Sequence, residues 1–450
     1  MKINKKSFLV LVLAGAVGIA GCGGSDGGGS TDTAAVDSAL LKLGPDQGWN
    51  QTDVTIDPAA LDCQGKASDP HRGVTDTSIK IGGLVTATSP SGIAFADAEA
   101  GAKARFERAN AEGGIAGRTI DFIGVRDDGG DPGRNGAQAN SLVSREGIFA
   151  AAPVIIATSP SYIDTFCKEV TPFFGWGTDS GFCGNTIGFS IVGCQTPTAE
   201  QRVAVNTGPP AAVNALIPAG TPKSIAMIGL DNDSARQGNI TIAQGFQAAG
   251  FDIAYSKTPI PVSGLSDPTP IVQAVMTSDK GRPPTAVFMV TPVGDAVRLL
   301  GAFRAAGYTG MLLTPFYDPR LAGAKELSDT YAVMQWQPGL STDVPGIAQM
   351  LADFKASSPD LTDSLPAMAG YWSADMLVKA LEKVGRDLTV DALLKTLNSG
   401  DYTNYVPGAL PETRWPLNHS TPSPCGTLAH LKDGKWTAPA LSCGAITKVS

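Results

Sequence analysis

The chain has 450 residues, of which 43% are hydrophobic and 17% are charged, and its formal net charge is -8 at pH 7. The composition is ordinary for a globular protein, and the roughly 375 residues after the N-terminal region are too many for one hydrophobic core, which predicts two domains. Because the charge is negative and no cluster of Lys and Arg follows the N-terminus, the sequence argues against a nucleic-acid partner.

The first 22 residues have the pattern of an export signal. A basic start over residues 2–6 precedes an apolar run over residues 8–19, and two small residues stand directly before Cys22. The run is shorter than the roughly 20 residues that a membrane-spanning helix needs. The pattern resembles the bacterial lipobox, which implies a signal peptide over residues 1–21 and a lipidated Cys22 that holds the mature protein at the extracytoplasmic face of the cell membrane. An ordinary cleaved signal is the alternative.

Residues 22–75 are predicted to be a lipidated, flexible tether followed by an irregular N-terminal extension. The stretch Gly23–Ser38 has almost no large apolar side chain, so it cannot bury enough surface to offset the entropy cost of folding. Residues 39–75 mix Pro, Gly and Asp with a few apolar positions. This mixture predicts an irregular, partly docked segment.

Six cysteines follow Cys22: Cys63, Cys167, Cys183, Cys194, Cys425 and Cys443. An even number in an exported chain favours disulfides, and we expect three, which join Cys425 to Cys443, Cys183 to Cys194 and Cys63 to Cys167. The first pair is the preferred choice, because the segment between its cysteines has the pattern of a hairpin with Asp433-Gly434 at the turn. Metal binding is the competing interpretation, but the chain has no C-x-x-C motif and its three histidines lie in unrelated contexts, so we expect no metal site.

Apolar periodicity alternates predicted strands with predicted helices over the rest of the chain. The predicted strands cover residues 79–85, 119–125, 148–153, 172–175, 224–230, 251–255, 286–291 and 311–314. The predicted helices cover residues 95–110, 234–249 and 295–306, and a Ser-x-x-Gln capping box opens the second of them. This alternation predicts βαβ units with parallel sheets, and a loop-rich stretch near residues 195–220 divides the units between two α/β lobes.

The segment Gly101–Pro132 carries a resemblance to a known family. It contains, in order, an Asn-x-x-Gly-Gly-Ile turn from Asn110, a predicted strand, and an Asp-Asp-x-x-Asp-Pro loop from Asp127. This order resembles the type I periplasmic solute-binding proteins of the branched-chain amino acid and amide receptor group, the Leu/Ile/Val-binding protein-like receptors of ABC importers. The resemblance extends less tightly over roughly residues 76–440.

The resemblance implies an α/β fold of two Rossmann-like lobes, joined by a hinge that the chain crosses three times, with the ligand cleft between them. By the family's pattern, lobe 1 comprises residues 76–197 and 330–410, and lobe 2 comprises residues 198–329 and 411–450. The partners implied are a small-molecule ligand and the permease of an ABC importer, on which the protein docks after its lobes close over the ligand.

The acidic run Asp127, Asp128 and Asp131 has two interpretations. A calcium loop is one, but EF-hand spacing fails because Gly129 occupies the third position. Turn and helix-cap chemistry, with Asp before Gly and before Pro, is the preferred interpretation. These acids are therefore left out of the predicted site.

Ligands of open parallel sheets bind beyond the carboxyl ends of the strands, where loops lead into helix N-termini. The loops after the predicted strands supply the candidate ligand-binding residues, which are Ser89, Ile155, Ser159, Trp176, Gly177, Thr178, Asp231, Ser234, Thr291, Phe316, Tyr317 and Asp318. By resemblance, the loops at residues 154–160 and 176–179 hold the carboxylate and ammonium groups in amino-acid-binding relatives. Helix capping is the alternative role for Ser89, Ser159 and Ser234.

Trp176 and Tyr317 are expected to face the cleft from different lobes, half-exposed, and to sandwich the ligand. Core packing is the alternative for both. The loop at residues 154–160 carries bulky apolar residues where amino-acid receptors have small hydroxyl residues, and Trp176 replaces a small residue. This departure predicts a larger, less polar pocket, suited to an aromatic acid, an amide or a hydrophobic metabolite rather than a free α-amino acid.

The sequence lacks the motifs of common enzyme classes. A G-x-S-x-G elbow, a G-x-G-x-x-G loop and a P-loop do not occur, and none of His71, His419 and His430 is an obvious base for the GTDSG string at residues 177–181. We expect no enzymatic activity and no cofactor. The expected function is that of a lipid-anchored, monomeric solute-binding protein of an ABC importer. The alternatives are a ligand-sensing surface lipoprotein of the same fold and a secreted hydrolase.

Overall fold

Two largely parallel β-sheets form the framework of the computed structural model, which describes residues 54–449. In this range the strands are β1 Ser78–Val85, β2 Thr119–Asp127, β3 Ala150–Ile155, β4 Phe173–Gly175, β5 Gly188–Ser190, β6 Ala204–Asn206, β7 Ser224–Leu230, β8 Asp252–Ile260, β9 Ala286–Val290, β10 Met311–Thr314, β11 Thr330–Met334, β12 Tyr402–Val406, β13 Leu410–Trp415, β14 Cys425–Lys432, β15 Lys435–Thr437, β16 Ser442–Cys443 and β17 Ile446–Lys448. The α-helices are α1 Asp97–Ala111, α2 Pro132–Asn140, α3 Tyr162–Lys168, α4 Gly208–Leu216, α5 Asp233–Ala248, α6 Thr269–Met276, α7 Val293–Ala305, α8 Pro345–Ser357, α9 Leu365–Val384 and α10 Val390–Leu397. The predicted signal peptide, Cys22 and most of the predicted tether lie outside the described residues.

Both sheets have the same internal strand order. The first sheet runs β2-β1-β3-β4-β5 with parallel neighbours. The second runs β8-β7-β9-β10-β11, also parallel, and the antiparallel strands β14 and β15 extend its β11 edge. Each order is that of a doubly wound sheet. The prediction of two Rossmann-like α/β lobes is therefore confirmed, and we call them the first lobe and the second lobe.

The central strands are covered on both faces, which explains why the sequence reveals them. Every residue of β3 and of β7 is buried. A parallel strand between two helical layers needs a nearly continuous apolar run, because side chains on both of its faces lie in the core. None of the helices in residues 54–449 has both the length and the hydropathy that crossing a membrane requires.

The chain passes between the lobes at three places in the described range: residues 191–203 after β5, residues 335–344 after β11, and residues 416–424 before β14. Helix α9 packs against α1, β3 and β4, which puts it in the first lobe. Strand β11, which the sequence analysis placed in lobe 1, is hydrogen-bonded between β10 and β14 and so lies in the second sheet.

Two glycines let α1 and α9 approach each other closely. A Cβ atom on Gly101 would lie 1.9 Å from the Ala367 carbonyl oxygen, and one on Gly370 would lie 2.0 Å from the Ala98 carbonyl oxygen. Both distances are far below van der Waals contact, so only glycine fits. The close packing fixes the N-terminal ends of both helices beside the cleft.

All three expected disulfides are present, which confirms the pairing of Cys63 with Cys167, Cys183 with Cys194 and Cys425 with Cys443. The predicted hairpin is also confirmed: β14 and β15 pair across a two-residue turn at Asp433-Gly434. These turn residues have φ angles of 49° and 73°. Such a turn needs left-handed conformations, which Asp and Gly adopt readily.

The described part of the N-terminal extension, residues 54–75, has one short 3-10 turn at Pro58–Ala60 and is otherwise irregular. Besides the Cys63–Cys167 disulfide, the Arg72 guanidinium attaches it to the first lobe. Arg72 donates to the carbonyls of Ile148 and Glu169 at 2.9 and 3.0 Å. Farther along the chain, the stretch expected to be loop-rich contains β6 and α4, a helix that the sequence analysis missed.

The carboxylates of Asp127, Asp128 and Asp131 stabilise turns and a helix N-cap, which is the interpretation preferred from the sequence. Asp131 is the N-cap of α2 and accepts a hydrogen bond from Arg134 N at 2.6 Å. The carboxylate of Asp127 accepts from the backbone N–H groups of residues 87, 88 and 129. Asp128 accepts from Gly130 N at 2.8 Å. The turn and cap interpretation is confirmed.

Candidate ligand-binding cleft

A cavity of about 450 Å³ lies between the loops at the carboxyl ends of the two sheets. The first lobe contributes the segment of residues 92–97 after β1 and the loop after β4. The second lobe contributes the first turns of α5 and α7 and the loop after β10. The cavity thus occupies the position at which doubly wound sheets bind ligands.

Seven of the twelve candidate ligand-binding residues line this cavity: Trp176, Thr178, Ser234, Thr291, Phe316, Tyr317 and Asp318. They come from four separate connections, those after β4, β7, β9 and β10. Loops after parallel strands converge on one edge of a sheet, and the fold accordingly brings together residues up to 142 positions apart, from Trp176 to Asp318. Their contact with a ligand stays a prediction.

The other five candidates do not line the cavity: Ser89, Ile155, Ser159, Gly177 and Asp231. Ile155 is fully buried as the last residue of β3. The N–H of Gly177 donates to Ser190 Oγ at 3.0 Å, within the first lobe. Strand continuation and loop packing thus take both residues away from the cleft.

The side chains of two polar candidates, Ser89 and Asp231, interact with neighbouring side chains of their own lobe. The hydroxyls of Ser89 and Ser91 lie 2.7 Å apart in the loop after β1. Asp231 forms an ion pair with Arg236 in the first turns of α5. These local partners are the physical reason why Ser89 and Asp231 do not reach the cavity.

Aromatic rings form much of the cavity wall. The ring of Trp176 packs edge-on against Phe95 and Trp336, with centroid distances of 5.9 and 5.2 Å, and Phe316 lines the wall from the second lobe. Phe95 was expected in a helix, but α1 begins at Asp97, which leaves Phe95 in the loop that faces the cavity. Trp176 is only 7% exposed, so the expectation of a half-exposed ring is wrong for it.

Tyr317 is also more deeply buried than expected, at 1% exposure. Its hydroxyl donates to Asp363 Oδ2 at 2.8 Å, and its ring packs edge-on against Trp436 at 5.1 Å. Burial, followed by the charge and hydrogen bond of Asp363, raises the pKa of Tyr317 above its usual value. Tyr317 therefore packs in the core and presents one part of its surface to the cavity.

The charged side chains at the cavity form one closed cluster. Arg320 Nη2 lies 2.6 Å from a carboxylate oxygen of Asp97 and 2.6 Å from one of Asp318. The hydrogen bond to Asp318 is the largest cause that raises the pKa of Arg320. Within the described range no other charged residue lines the cavity. A carboxylate on a ligand would therefore find no unpaired cation there.

Three buried polar atoms at the cavity, Trp176 Nε1, Gln195 Nε2 and Thr291 Oγ1, have no hydrogen-bond partner among residues 54–449. Thr291 directly precedes Pro292, the N-cap residue of α7, which supplies no side-chain cap. The first N–H groups of a helix have no partner inside that helix. An indole donor, a hydroxyl and helix N–H groups are thus available to a polar group of a ligand.

Besides the Arg320–Asp97 ion pair and the Tyr317–Asp363 hydrogen bond, three side-chain hydrogen bonds between the lobes lie at one place beside the cavity, between the start of α5 and the loops after β3 and β4. They connect Asn232 Nδ2 to the Ala157 carbonyl at 3.3 Å, Ser234 Oγ to the Thr178 carbonyl at 2.5 Å, and Ser159 Oγ to the Asp233 carboxylate. We call these three bonds the interlobe latch. They exist only when the lobes are together.

The latch also corrects the capping roles considered for Ser159 and Ser234. The N-cap of α5 is Asn232, whose side chain accepts from Ala235 N at 2.8 Å, so the predicted capping box at Ser234 is wrong. The N-cap position of α3 is Ser161. Because the helices begin at these other residues, both serine hydroxyls are free to bond the opposite lobe.

The model of the periplasmic binding protein family matches residues 78–435 of the chain. The chain belongs to the periplasmic binding protein family. This match confirms the family predicted from Gly101–Pro132, together with its fold. The family consists of extracytoplasmic receptors for solutes rather than of enzymes.

Solved structures of ABC transporter proteins share the fold of this periplasmic binding protein. The substrate-binding protein from Aeropyrum pernix has a TM-score of 0.66 at 16% identity, over 83% of this chain and 97% of that one. The R. palustris solute-binding protein in complex with 4-hydroxybenzoate has a TM-score of 0.62 at 16% identity, over 82% and 98%. The branched-chain amino acid transporter substrate-binding protein from Streptococcus pneumoniae, in complex with isoleucine, has a TM-score of 0.59 at 16% identity, over 83% and 100%. No curated protein sequence matches the chain.

Proposed function

We propose that this periplasmic binding protein captures an aromatic solute in its interlobe cleft and delivers it to the permease of an ABC importer. The observation that carries the proposal is the aromatic wall of the cavity, formed by Phe95, Trp176, Phe316 and Tyr317. Ring-lined walls favour ring-bearing ligands, because aromatic pairs gain about 0.5–1.5 kcal/mol beyond the area that they bury. The cavity volume of about 450 Å³ falls in the range of small-molecule sites.

We infer that hydrogen bonds, rather than a salt bridge, hold the polar group of this solute. Arg320 is committed to Asp97 and Asp318, so the lining offers no unpaired cation. Trp176 Nε1, Thr291 Oγ1 and the N-terminal N–H groups of α7 can serve an uncharged acceptor such as a carbonyl. The same N–H groups can also receive a carboxylate, as helix N-termini bind anions without a cationic side chain.

The ligands of the structural neighbours fit this size class. One R. palustris neighbour holds 4-hydroxybenzoate, and another holds 3,4-dihydroxybenzoate. The neighbour from Streptococcus pneumoniae holds isoleucine. Because the cleft has an aromatic lining, we infer that the solute of this receptor resembles the two benzoates more than isoleucine.

We place the lobe boundaries by membership of the two main sheets and by the packing of the other elements against them. The first lobe then comprises residues 76–190 and 345–415, and the second comprises residues 204–334 and 425–449, with the three crossings between them as the hinge. Solute would land on one lobe and the other would close over it, which completes the latch. A monomer in this closed form would dock on the permease.

Calorimetric titration of the purified mature chain tests the ligand class. The probes are 4-hydroxybenzoate, 3,4-dihydroxybenzoate, benzamide and isoleucine. We expect the aromatic probes to bind and isoleucine to bind at least tenfold more weakly. Binding of isoleucine alone would contradict the aromatic assignment.

A pair of phenylalanine variants shows where such binding occurs. Phe316→Ala removes a half-buried ring from the cavity wall, whereas Phe122→Ala removes a half-buried ring from β2, where it packs against Phe106 with a centroid distance of 5.1 Å. We expect only the first variant to lose affinity for the aromatic probes. Equal losses in both variants would move the binding site away from this cleft.

We propose that Cys22 carries the lipid that holds the receptor at the extracytoplasmic face of the membrane. Because acylation needs the cysteine, Cys22→Ser should prevent lipidation. The variant should then leave the detergent phase in a Triton X-114 partition. The control Ser25→Ala, which keeps Cys22, should stay in that phase. A detergent-phase Cys22→Ser protein would contradict the anchor.

A further inference from the structure

A second cavity, of about 120 Å³, continues the cleft toward the hinge. It shares six lining residues with the main cavity: Gln195, Thr196, Gly238, Ile242, Val290 and Pro315. The two spaces are therefore contiguous. We call the second one the hinge pocket.

The hinge pocket takes at least one polar residue from each crossing between the lobes. Gln195 lies on the first crossing, Gln335 on the second and Ser423 on the third. Thr241, from the middle of α5, adds a fourth polar side chain, and Thr196 and Asn206 also line the pocket. A group bound there would touch all three segments whose geometry changes when the lobes close.

The hydrogen-bonding capacity of these four side chains is largely unused. Gln335 Nε2 lies 3.3 Å from Gln195 Oε1. Within residues 54–449, Gln195 Nε2, Gln335 Oε1 and the hydroxyls of Thr241 and Ser423 are buried without a partner. Thr241 is 7% and Ser423 is 3% exposed. Buried polar atoms in native proteins nearly always have partners, so four of them around one cavity indicate an occupant.

The same atoms define the chemistry of the occupant. An amide N–H donor, a carbonyl acceptor and two hydroxyls can serve a group that both donates and accepts hydrogen bonds. In the described part of the chain no charged side chain lines the pocket, and a buried ion without a partner is strongly disfavoured. The volume exceeds the share of one liquid water, about 30 Å³, so it admits a group of several heavy atoms.

We propose that the hinge pocket is a second subsite of the receptor, which holds an uncharged carboxamide or hydroxyl arm of a solute whose aromatic body lies in the main cleft. This inference rests on the proposed function, because it assigns the arm of the solute that the cleft captures. The solute is thus an elongated amphiphile with a ring at one end and a neutral polar group at the other.

Titrations with a matched set of synthetic probes test the subsite. Benzamide has no arm, 3-phenylpropanamide carries a neutral arm, and 3-phenylpropanoate carries a charged arm of nearly the same shape. We expect 3-phenylpropanamide to bind about tenfold more tightly than either of the others, since two added hydrogen bonds suffice for that factor.

The double variant Thr241→Val, Ser423→Ala removes two hydroxyls with almost no change of volume. In this variant the affinity for 3-phenylpropanamide should exceed that for benzamide by no more than about twofold, while benzamide keeps its wild-type affinity. Thr277→Val, which changes an exposed threonine just after α6, serves as the control and should leave the advantage intact. If melting shows that the double variant is poorly folded, Ser423→Ala alone is used, with about half of the effect.

The outcomes separate the subsite from the function. If benzamide binds but the neutral arm gives no gain, or the gain survives in the double variant, the hinge pocket is not a subsite and the proposed function stands. If 3-phenylpropanoate binds most tightly, the neutral chemistry is wrong. If none of the three probes binds, both the aromatic cleft and its subsite are refuted.

Discussion

Asp179 supports the loop after β4 from inside the first lobe. Its Oδ1 accepts hydrogen bonds from the Tyr162 hydroxyl at 2.9 Å and from Gly181 N at 2.8 Å, and Oδ2 has no partner within the described residues. The side chain is almost fully buried. Burial is the largest cause that raises the pKa of Asp179 to about 7. In the folded protein this side chain is therefore mainly the neutral acid below about pH 7.

Asp179 should make the stability of the protein depend on pH. Between pH 4 and pH 7 the unfolded chain has lost the proton that the folded chain keeps, so this group's contribution to the free energy of unfolding falls as pH rises and levels off above pH 7. Asp179→Asn keeps the accepting oxygen and cannot ionise. We measure the Tm of both proteins by calorimetry from pH 4 to 8. The Tm of the wild type, relative to that of the variant, should fall as pH rises. A constant difference would contradict the raised pKa.

Trp176→Ala should affect folding as well as binding, because the ring is packed rather than half-exposed. Removing a buried tryptophan leaves a cavity, and we expect the free energy of unfolding to drop by about 3 kcal/mol. Urea unfolding of the ligand-free protein measures this loss. Phe316→Ala, at a half-buried position on the same wall, should lose clearly less stability. Equal stability of Trp176→Ala and the wild type would show that the ring is not packed as described.

At the scale of elements, the contact between α1 and α9 depends on the absence of a side chain. Gly370→Ala would place a methyl group against the Ala98 carbonyl, and we expect a loss of about 2–3 kcal/mol from overpacking. Gly301→Ala is the matched control, because Gly301 lies in α7 with open space around its Cα. That change should stabilise the protein by about 0.4–1 kcal/mol. Chemical denaturation measures both, and effects of equal sign would refute the packing argument.

The elements that the sequence revealed are those whose pattern is local. Strands β1, β7, β9 and β10 were predicted because buried parallel strands have continuous apolar runs. Helix α4 was missed because its start, Gly208-Pro209-Pro210, has the composition of a loop, although proline suits the first turn of a helix. The position of β11 in the second sheet was also missed, since its place between β10 and β14 is set by tertiary pairing.

At the scale of the molecule, the interlobe latch should hold the closed form. Ser159→Ala combined with Ser234→Ala removes two bonds that exist only when the lobes meet. We expect the affinity for 4-hydroxybenzoate to fall roughly tenfold to thirtyfold, at about 1 kcal/mol per bond. Small-angle X-ray scattering of the ligand-free variant should show a larger radius of gyration.

Ser89→Ala is the control for the latch, because the Ser89 hydroxyl bonds within its own loop. It should change neither the affinity nor the radius of gyration. If the double variant behaves like this control, the hydrogen bonds of Ser159 and Ser234 do not contribute to closure.

The cleft shows where sequence reasoning reached its limit. Candidates such as Thr291 and Phe316 were found because the loops after strands form a rule of the fold. Gln195, Gln335 and Ser423 were not found, because they converge from three distant crossings and share no local pattern. The roles of Ser159 and Ser234 were missed for a related reason: the partner of each lies on the opposite lobe.

The matching strand orders of the two lobes have an electrostatic consequence. Helices α1 and α9 of the first lobe and α5 and α7 of the second all begin at the cavity, so the positive ends of their dipoles face one another when the lobes close. Asp97 and Asp233, in first turns of these helices, offset part of this repulsion, and each also binds a residue across the cleft or beside it. The electron-rich oxygen of a solute placed between the four helix ends would offset more of it. The solute therefore lowers the electrostatic cost of closure, so closure is more favourable with solute in the cleft than without it.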